Sequence, residues 1–360
     1  MLFLALGAAA RPQQDEGPSS SGPNPGVGDT VLVPKKTPPP APGSATPGGT
    51  QPPRKQPEKI DPNEIYTLTT STNLINVDVL VVDKSGNPVS GLKKGNFKLS
   101  DEGVPQSITN FSTGDAPMTV CLVIEYSNKY WVILYKTLQF SYEFIRVMEP
   151  KDWVAVVTFD MNQTILTDFT QSKQEVAQAI NMLHFPGFSE TNLFDSLAFT
   201  IDRMKDIQGR KAIVVICTGI DTFSKLTYDQ TLKLVKNSDT TIYPISILEW
   251  ADVRLPFGTG ITGAQARAAL TYIGKYSGGQ AYFPRFEQEL PSIYEQIAQQ
   301  LRSQYSLGFI PSSSERDGKF RKLKIDLVDE RGNPLIISDE KGKKIKYKIV
   351  SREGYYSPKS

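Results

Sequence analysis

The chain has 360 residues, enough for two domains, with 40 lysines and arginines against 38 aspartates and glutamates. A net charge of +2 gives no electrostatic reason to expect nucleic acid or an anionic membrane surface as a partner. The one histidine, His184, excludes zinc sites built on several His ligands, and a Ser-His-Asp triad would have to use that single residue.

In chain order, residues 1–10 (MLFLALGAAA) are apolar and end in small residues, as the last part of a secretory signal does. No basic region precedes them, so the reading is a signal remnant with a late start codon, the alternative being a short greasy tail. Ten residues are too few to cross a bilayer, and no other run approaches the ~18 apolar residues of a span. No integral membrane span is expected. Residues 11–60 hold half of the 26 prolines, among Gly, Ser, Thr and Gln. Such a composition cannot bury enough apolar surface to offset chain entropy, so this is a disordered linker.

Residues 61–116 change to a β grammar. Ile75, Val77, Val79 and Val81 alternate with Asn76, Asp78 and Leu80, the period of a half-buried strand. Asp83 to Pro88 reads as a turn, Phe97 to Leu99 as a strand, and Ser107 to Phe111 as a returning one. Residues 304–360 repeat the pattern: Leu323, Ile325 and Leu327 alternate, and V-D-x-x-G-N-P recurs at Val82–Pro88 and Val328–Pro334. Two similar hairpin turns explain that repeat, since Gly-Asn-Pro is ordinary turn chemistry. Neither flank alone makes a sheet with a covered face, so the two are expected to pack together as one β-sandwich with residues 117–303 inserted between them.

That middle segment alternates strands and helices. Thr119–Ile124 and Ala212–Ile216 are continuous apolar runs, as in strands covered on both faces. Trp153–Phe159, a short strand near Ile165 and Thr241–Ile247 complete the strands. Helical stretches fall at 131–148, 173–183, 193–205, 226–237, 264–276 and 293–304. The alternation predicts an α/β fold with a doubly wound, mainly parallel sheet. In such sheets ligands bind beyond the carboxyl ends of the strands. Three polar groups should meet there: Glu125-Tyr-Ser127-Asn-Lys129, Thr191 at a loop-to-helix junction, and Cys217-Thr218-Gly219-Ile220-Asp221. Converging oxygens of this kind suit a hard cation such as Mg²⁺.

At these residues the sequence resembles a known family. The phrases T-N-L-F-D-S-L, R-K-A-I-V-V-I-C-T-G-I-D and S-G-G-Q-A-Y-F-P make residues 117–300 similar to a von Willebrand factor A domain, a Rossmann-like fold. With the flanks, 65–357 resembles a von Willebrand A-related group found in Acidobacteria. The flanking phrases are D-K-S-G-N-P-V-S-G-L, N-F-K-L-S-D-E-G, L-R-S-Q-Y-S-L-G-F-I-P and R-E-G-Y-Y-S-P. The resemblance implies a metal-ion-dependent adhesion site of the form D-x-S-x-S, with a Thr and a T-D-G aspartate. Here the first Asp is Glu125, Ser127 and Thr191 are kept, the second Ser is Lys129, and the last Asp is Thr218. One negative charge is lost and one positive gained, so Lys129 is expected to stand in for the metal and pair with Glu125. If a metal binds at all, Glu125, Ser127 and Thr191 would hold it; no cofactor is expected. Asp221, Asp195 and Asp160 lie near the same rim, where a cap or loop carboxylate is the ordinary role of such residues.

Other features carry less. Gly258-Thr-Gly260-Ile-Thr-Gly263 matches G-x-G-x-x-G but falls late in the domain, so it reads as a flexible glycine loop. His184 reads as a surface or cap residue. Cys121 and Cys217 sit in apolar runs and read as buried free thiols, a disulfide being the alternative in an oxidising compartment. Asn110-Phe-Ser112 and Asn162-Gln-Thr164 are chance-level sequons. Tyr355 and Tyr356 read as sandwich core or strand residues. The helix at 131–148 is apolar around much of its circumference, which suits burial on two sides. The expected function is a secreted, periplasmic or cell-surface protein-binding module of adhesion type, not an enzyme. Binding would occur at a rim of Glu125, Ser127, Lys129, Thr191, Thr218 and Asp221, with an acidic group of a protein partner held by Lys129. The rivals are a structural envelope component that uses the fold as a spacer, and a hydrolase.

Overall fold

The computed structural model describes residues 74–357, except 115–116, 129–140, 184–186, 208, 250–259, 314 and 339–341. Residues 1–60, where a signal remnant and a linker are expected, Lys129, His184 and most of the expected 131–148 helix lie outside the described residues.

The inserted segment forms a five-stranded sheet. Its strands are β5 (Met118–Glu125), β6 (Trp153–Phe159), β7 (Gln163–Thr170), β8 (Arg210–Cys217) and β9 (Thr241–Ser246), in the order β7-β6-β5-β8-β9. β5 pairs in parallel with β6 and β8, and β8 with β9. The short strand expected near Ile165 is an eight-residue antiparallel edge, hairpinned onto β6 with register shifts at Val154 to Val157. Every residue of β5 and β8 is buried, which explains their unbroken apolar runs. Val120, Leu122 and Ile124 pack on one face with helix α1 (residues 141–147), α2 (Lys173–Asn181) and α6 (Leu290–Arg302). Cys121 and Val123 pack on the other with α3 (Leu193–Met204), α4 (Tyr228–Asn237) and α5 (Gly260–Ser277). Each fully buried aliphatic side chain contributes roughly 1.5–3 kcal/mol to this two-sided core.

Two expectations change. Gly260 and Gly263 belong to the first turns of α5, so the glycine stretch is part of a helix and not a flexible loop over its described part. The segment S-G-G-Q-A-Y-F-P, similar to the last strand of the family it resembles, returns as a single parallel bridge, Ile245 to Tyr282. A Cβ on Gly279 would sit 2.1 Å from the Ile242 carbonyl oxygen, so only glycine lets the chain double back against β9.

The flanks form two antiparallel sheets. One has the order β14 (Tyr347–Ser351), β1 (Ile75–Asp83), β10 (Tyr305–Phe309), β4 (Ile108–Ser112). The other has the order β15 (Gly354–Tyr356), β11 (Phe320–Leu327), β2 (Phe97–Asp101), β3 (Val104–Gln106). Val77, Val79, Val81, Leu307 and Phe309 of the first share one core with Phe97, Leu99, Leu323, Ile325, Leu327 and Tyr355 of the second. The rings of Phe97 and Tyr305, 5.1 Å apart, and of Phe309 and Tyr355, 6.1 Å apart, join the layers. The repeated V-D-x-x-G-N-P segments fold alike. Asp83 accepts from the Ser85 and Asn87 amides and Asp329 from those of Arg331 and Asn333, each with a positive-φ glycine at Gly86 or Gly332.

Buried charges tie the sandwich to the inserted segment. Arg352 donates to the Asn76 carbonyl in the sandwich and, at 3.3 Å, to the Ser238 carbonyl after α4. Arg210, at the start of β8, donates to the Gln304 carbonyl at 2.9 Å. Beside them, burial pushes the Asp78 carboxyl above its ordinary range; its bond from Ser306 and the charges of Arg210 and Arg352 pull the other way, while Asp239 adds to the rise.

Candidate functional site

The site forms because the parallel register of β5 and β8 sets Ile124 beside Ile216, which brings the residues that follow, Glu125 and Thr218, into contact. The Thr218 amide donates to Glu125 Oε2 at 2.6 Å and the Thr218 hydroxyl to the same oxygen at 2.9 Å. Ser127 Oγ donates to Glu125 Oε1 at 3.1 Å. Glu125, Ser127 and Thr218 have no exposed surface. A buried carboxylate is tolerable only when its oxygens are satisfied in this way. The longer Glu side chain reaches the β8 loop directly.

Thr191 joins the same knot. Its hydroxyl donates to the Ile220 carbonyl at 2.7 Å, the Ile220 amide donates to Thr218 Oγ1 at 3.2 Å, and the Thr222 and Phe223 amides both donate to the Thr191 carbonyl at 2.9 Å. The first loop is fastened to the second by the Asn128 amide on the Phe188 carbonyl and by Ser189 Oγ on Asn128 Oδ1 at 2.9 Å. The structure therefore joins Glu125, Ser127 and Thr218 by direct hydrogen bonds and links Thr191 to them through the Ile220 backbone. Lys129, the sixth expected member, lies outside the described residues.

Asp221 is adjacent and already engaged. It accepts from the Phe194 amide at 2.9 Å and from the amide and hydroxyl of Ser224. Asn192, at the cap position of α3, makes no cap bond, so a carboxylate from another loop supplies it. Asp195 likewise accepts from the Lys225 and Leu226 amides, and Asp160 from the Asn162 amide. These are loop ties, the ordinary role considered for Asp195 and Asp160 from sequence.

The donor set bears on a divalent ion. Mg²⁺ asks for six oxygens in octahedral array, held by one or two carboxylates and waters. The described oxygens here are the hydroxyls of Ser127, Thr191 and Thr218 and the Glu125 carboxylate, whose lone pairs already take three hydrogen bonds. Among the described residues no group of three or more His, Cys, Asp or Glu side chains gathers as a metal site.

One feature was not read from sequence. Phe188 and Phe223, from the loops that carry Ser189 and Thr222, are 46% and 51% exposed at this end of the sheet. Their only sequence signal is an aromatic residue in a polar Gly/Ser/Thr loop. Cys217, next to Thr218, is a free buried thiol, as is Cys121. Burial pushes Cys121 up to about 12 and raises Cys217 well above its ordinary value, with the Glu125 charge adding to the latter.

Residues 119–296 match the model of the von Willebrand factor type A domain. Among solved structures, the chain is similar to conserved hypothetical protein BatB from Bacteroides thetaiotaomicron. That match has 13% identity and a TM-score of 0.40, over 52% of this chain and 100% of that one. The vWF domain of the type V pili tip protein Mfa5 from Porphyromonas gingivalis matches at 14% identity and a TM-score of 0.42, over 51% of this chain and 94% of that one. Proximal thread matrix protein 1 from the mussel byssus matches at 15% identity and a TM-score of 0.42, over 56% of this chain and 50% of that one. No curated protein matches the chain. The sheet order, the helices on both faces and the family match agree: residues 119–296 are a von Willebrand factor type A domain.

Proposed function

We propose that the chain is a non-enzymatic, adhesion-type protein-binding module that works outside the cytoplasm and whose strand-end site no longer uses a metal. The observation that carries this reading is the enclosure of Glu125. A carboxylate in a metal site must turn an oxygen toward the ion or its waters, whereas both oxygens of Glu125 are held by Ser127 and Thr218 beneath the surface. Lys129 follows Ser127 by two residues and carries the charge that the ion would have supplied. At ~4 Å an ammonium and a carboxylate interact by about 4 kcal/mol at an effective dielectric of 20. Lys129 then pairs with Glu125 and offers an acidic partner group a positive charge. The exposed rings of Phe188 and Phe223 suit a protein surface, since aromatic side chains are enriched where proteins meet.

The location outside the cytoplasm rests on residues 1–10 and the proline-rich linker. Among the described residues no helix is long and apolar enough to cross a membrane. The flanking sandwich supports kinship of 65–357 with the Acidobacterial von Willebrand A-related group, whose phrases fall in its strands and turns. The hydrolase reading has no support at the strand ends, where the hydroxyls of Ser127, Thr191 and Thr218 each donate to an oxygen.

Calorimetric titration with Mg²⁺ and Mn²⁺ tests the metal part: no heat is expected, and micromolar binding abolished by Ser127→Ala would overturn it. Capture from envelope extract tests the binding part, with loss of the partner expected for Lys129→Glu. Equal capture by both forms, or none by either, would favour a second reading, a structural spacer. The burial of Glu125, Ser127 and Thr218 is the observation on its side.

A further inference from the structure

Beside the strand-end site, a groove of about 420 Å³ opens between the loop after β8 and the helices α3, α4 and α5. Its walls carry three aromatic rings from three elements, Phe194, Tyr228 and Tyr272, and its floor is apolar, with Ile220, Ala266 and Ala269. Gly219, at φ +80°, lets α5 close on this loop, since a Cβ there would meet Leu270 at 2.8 Å. The rings of Phe194 and Tyr228 lie 6.0 Å apart, and Tyr272 stacks on Tyr276 at 5.9 Å. Burial raises the Tyr228 hydroxyl above its ordinary pKa, and the nearby Tyr276 and Tyr272 add to the rise.

The chemistry of the walls selects the occupant. Asp221 is the one charged side chain lining the groove among the described residues, and no described cation pairs with it. A neutral side chain would bury that carboxylate with only its three internal hydrogen bonds, and an acidic one would be repelled. A basic side chain satisfies every wall. Its aliphatic stem lies on Ala266, Ala269 and Ile220, and its charge meets ring faces and carboxylate together. The same aromatic ladder already takes a cation on its outer side, where Lys236 Nζ stands 3.9 Å from the Tyr276 ring centre.

We propose that this groove is a subsite for a lysine or arginine side chain of a protein partner, set beside the Glu125–Thr218 knot; it rests on the binding reading above and gives that partner a basic residue next to its acidic one. The test follows backbone amide shifts of the ¹⁵N-labelled full chain during titration with Nα-acetyl-arginine methylamide, Nα-acetyl-lysine methylamide and the neutral Nα-acetyl-norleucine methylamide. The two cationic probes are expected to move Gly219, Ile220 and Ala266 saturably and to bind several-fold more tightly than the norleucine probe. Tyr272→Ala, a 46% exposed ring whose removal leaves the core intact, should weaken the arginine probe about threefold. Asp221→Asn should weaken it further. Norleucine binding as well as arginine, or no saturable shift at these amides, overturns the subsite. Neither probe depends on Lys129, so capture lost with Lys129→Glu and a silent titration would sink this subsite alone, and the converse would sink only the parent reading.

Discussion

Thr218→Val tests whether the hydrogen-bonded knot holds the strand-end loops together. Valine keeps the shape of threonine and opens no cavity, so the change removes hydrogen bonds and little else. Two are lost: the Thr218 hydroxyl to Glu125 Oε2 at 2.9 Å, and the Ile220 amide to Thr218 Oγ1 at 3.2 Å. A hydrogen bond to a charged group contributes about 1.5–3 kcal/mol, and a part-buried amide left without an acceptor costs roughly 1 kcal/mol more. The expected loss is therefore about 2.5–4 kcal/mol, read as a lower urea midpoint with an unchanged slope. Thr164→Val, on the exposed side of β7, is the control and should stay within about 0.5 kcal/mol of wild type. Ser127→Ala combined with Thr218→Val should depart from additivity by more than about 0.5 kcal/mol, because both hydroxyls serve one carboxylate. A Thr218→Val loss no larger than that of the control, or strict additivity of the pair, would refute the reasoning: the loops would then be held by backbone bonds alone.

Two further outcomes follow from the buried ionisable groups. Burial raises the Asp78 carboxyl, so the folded chain holds this proton more tightly than the unfolded one; its contribution to stability is full below the ordinary carboxylate range and is lost as pH rises through the raised value. Asp78→Asn, which still accepts from Ser306, should remove that fall among Arg210, Arg352 and Asp239, and urea midpoints from pH 4 to 8 should show a flatter profile than wild type; an identical profile counts against it. Cys121 and Cys217 should be silent to a thiol reagent at pH 8 in the folded state and both react in urea, since burial pushes Cys121 up to about 12 and raises Cys217 as well; labelling of either in the native chain would contradict their enclosure.

What the sequence disclosed was whatever depends on local pattern. Unbroken apolar runs such as Thr119–Ile124 announce strands covered on both sides, and alternation in Ile75–Val81 announces a half-covered one. The position of Glu125 opposite the β8 loop followed from the order of strands and helices. Beyond the expected packing of the two flanks, individual long-range partners were not readable. Gln163–Thr170 has the weak alternation of an edge strand, so its full length shows only once β6 is beside it. Asp221 looks like a rim ligand in one dimension, yet it caps α3 from another loop because Asn192 leaves that helix start open. Arg210 and Lys211 begin β8 like solvated charges. In the fold both are buried, with Lys211 donating to the carbonyls of Met204, Lys205 and Ile207 at the end of α3.

The interleaving of the two flanks fixes an order of assembly. β1 is made at residues 75–83, but it pairs with β10 at 305–309 and with β14 at 347–351, so its two edges wait until those later segments have left the ribosome. The inserted domain draws all its strands from residues 118–246 and can condense in the meantime, since segments fold as they emerge. A chain cut short before residue 347 would keep that domain intact while leaving Val79 to Asp83 as an open strand edge, a template for pairing with another chain. The strand at residues 347–351 thus acts as a quality seal, completing the cover of the first strand only once it has been made.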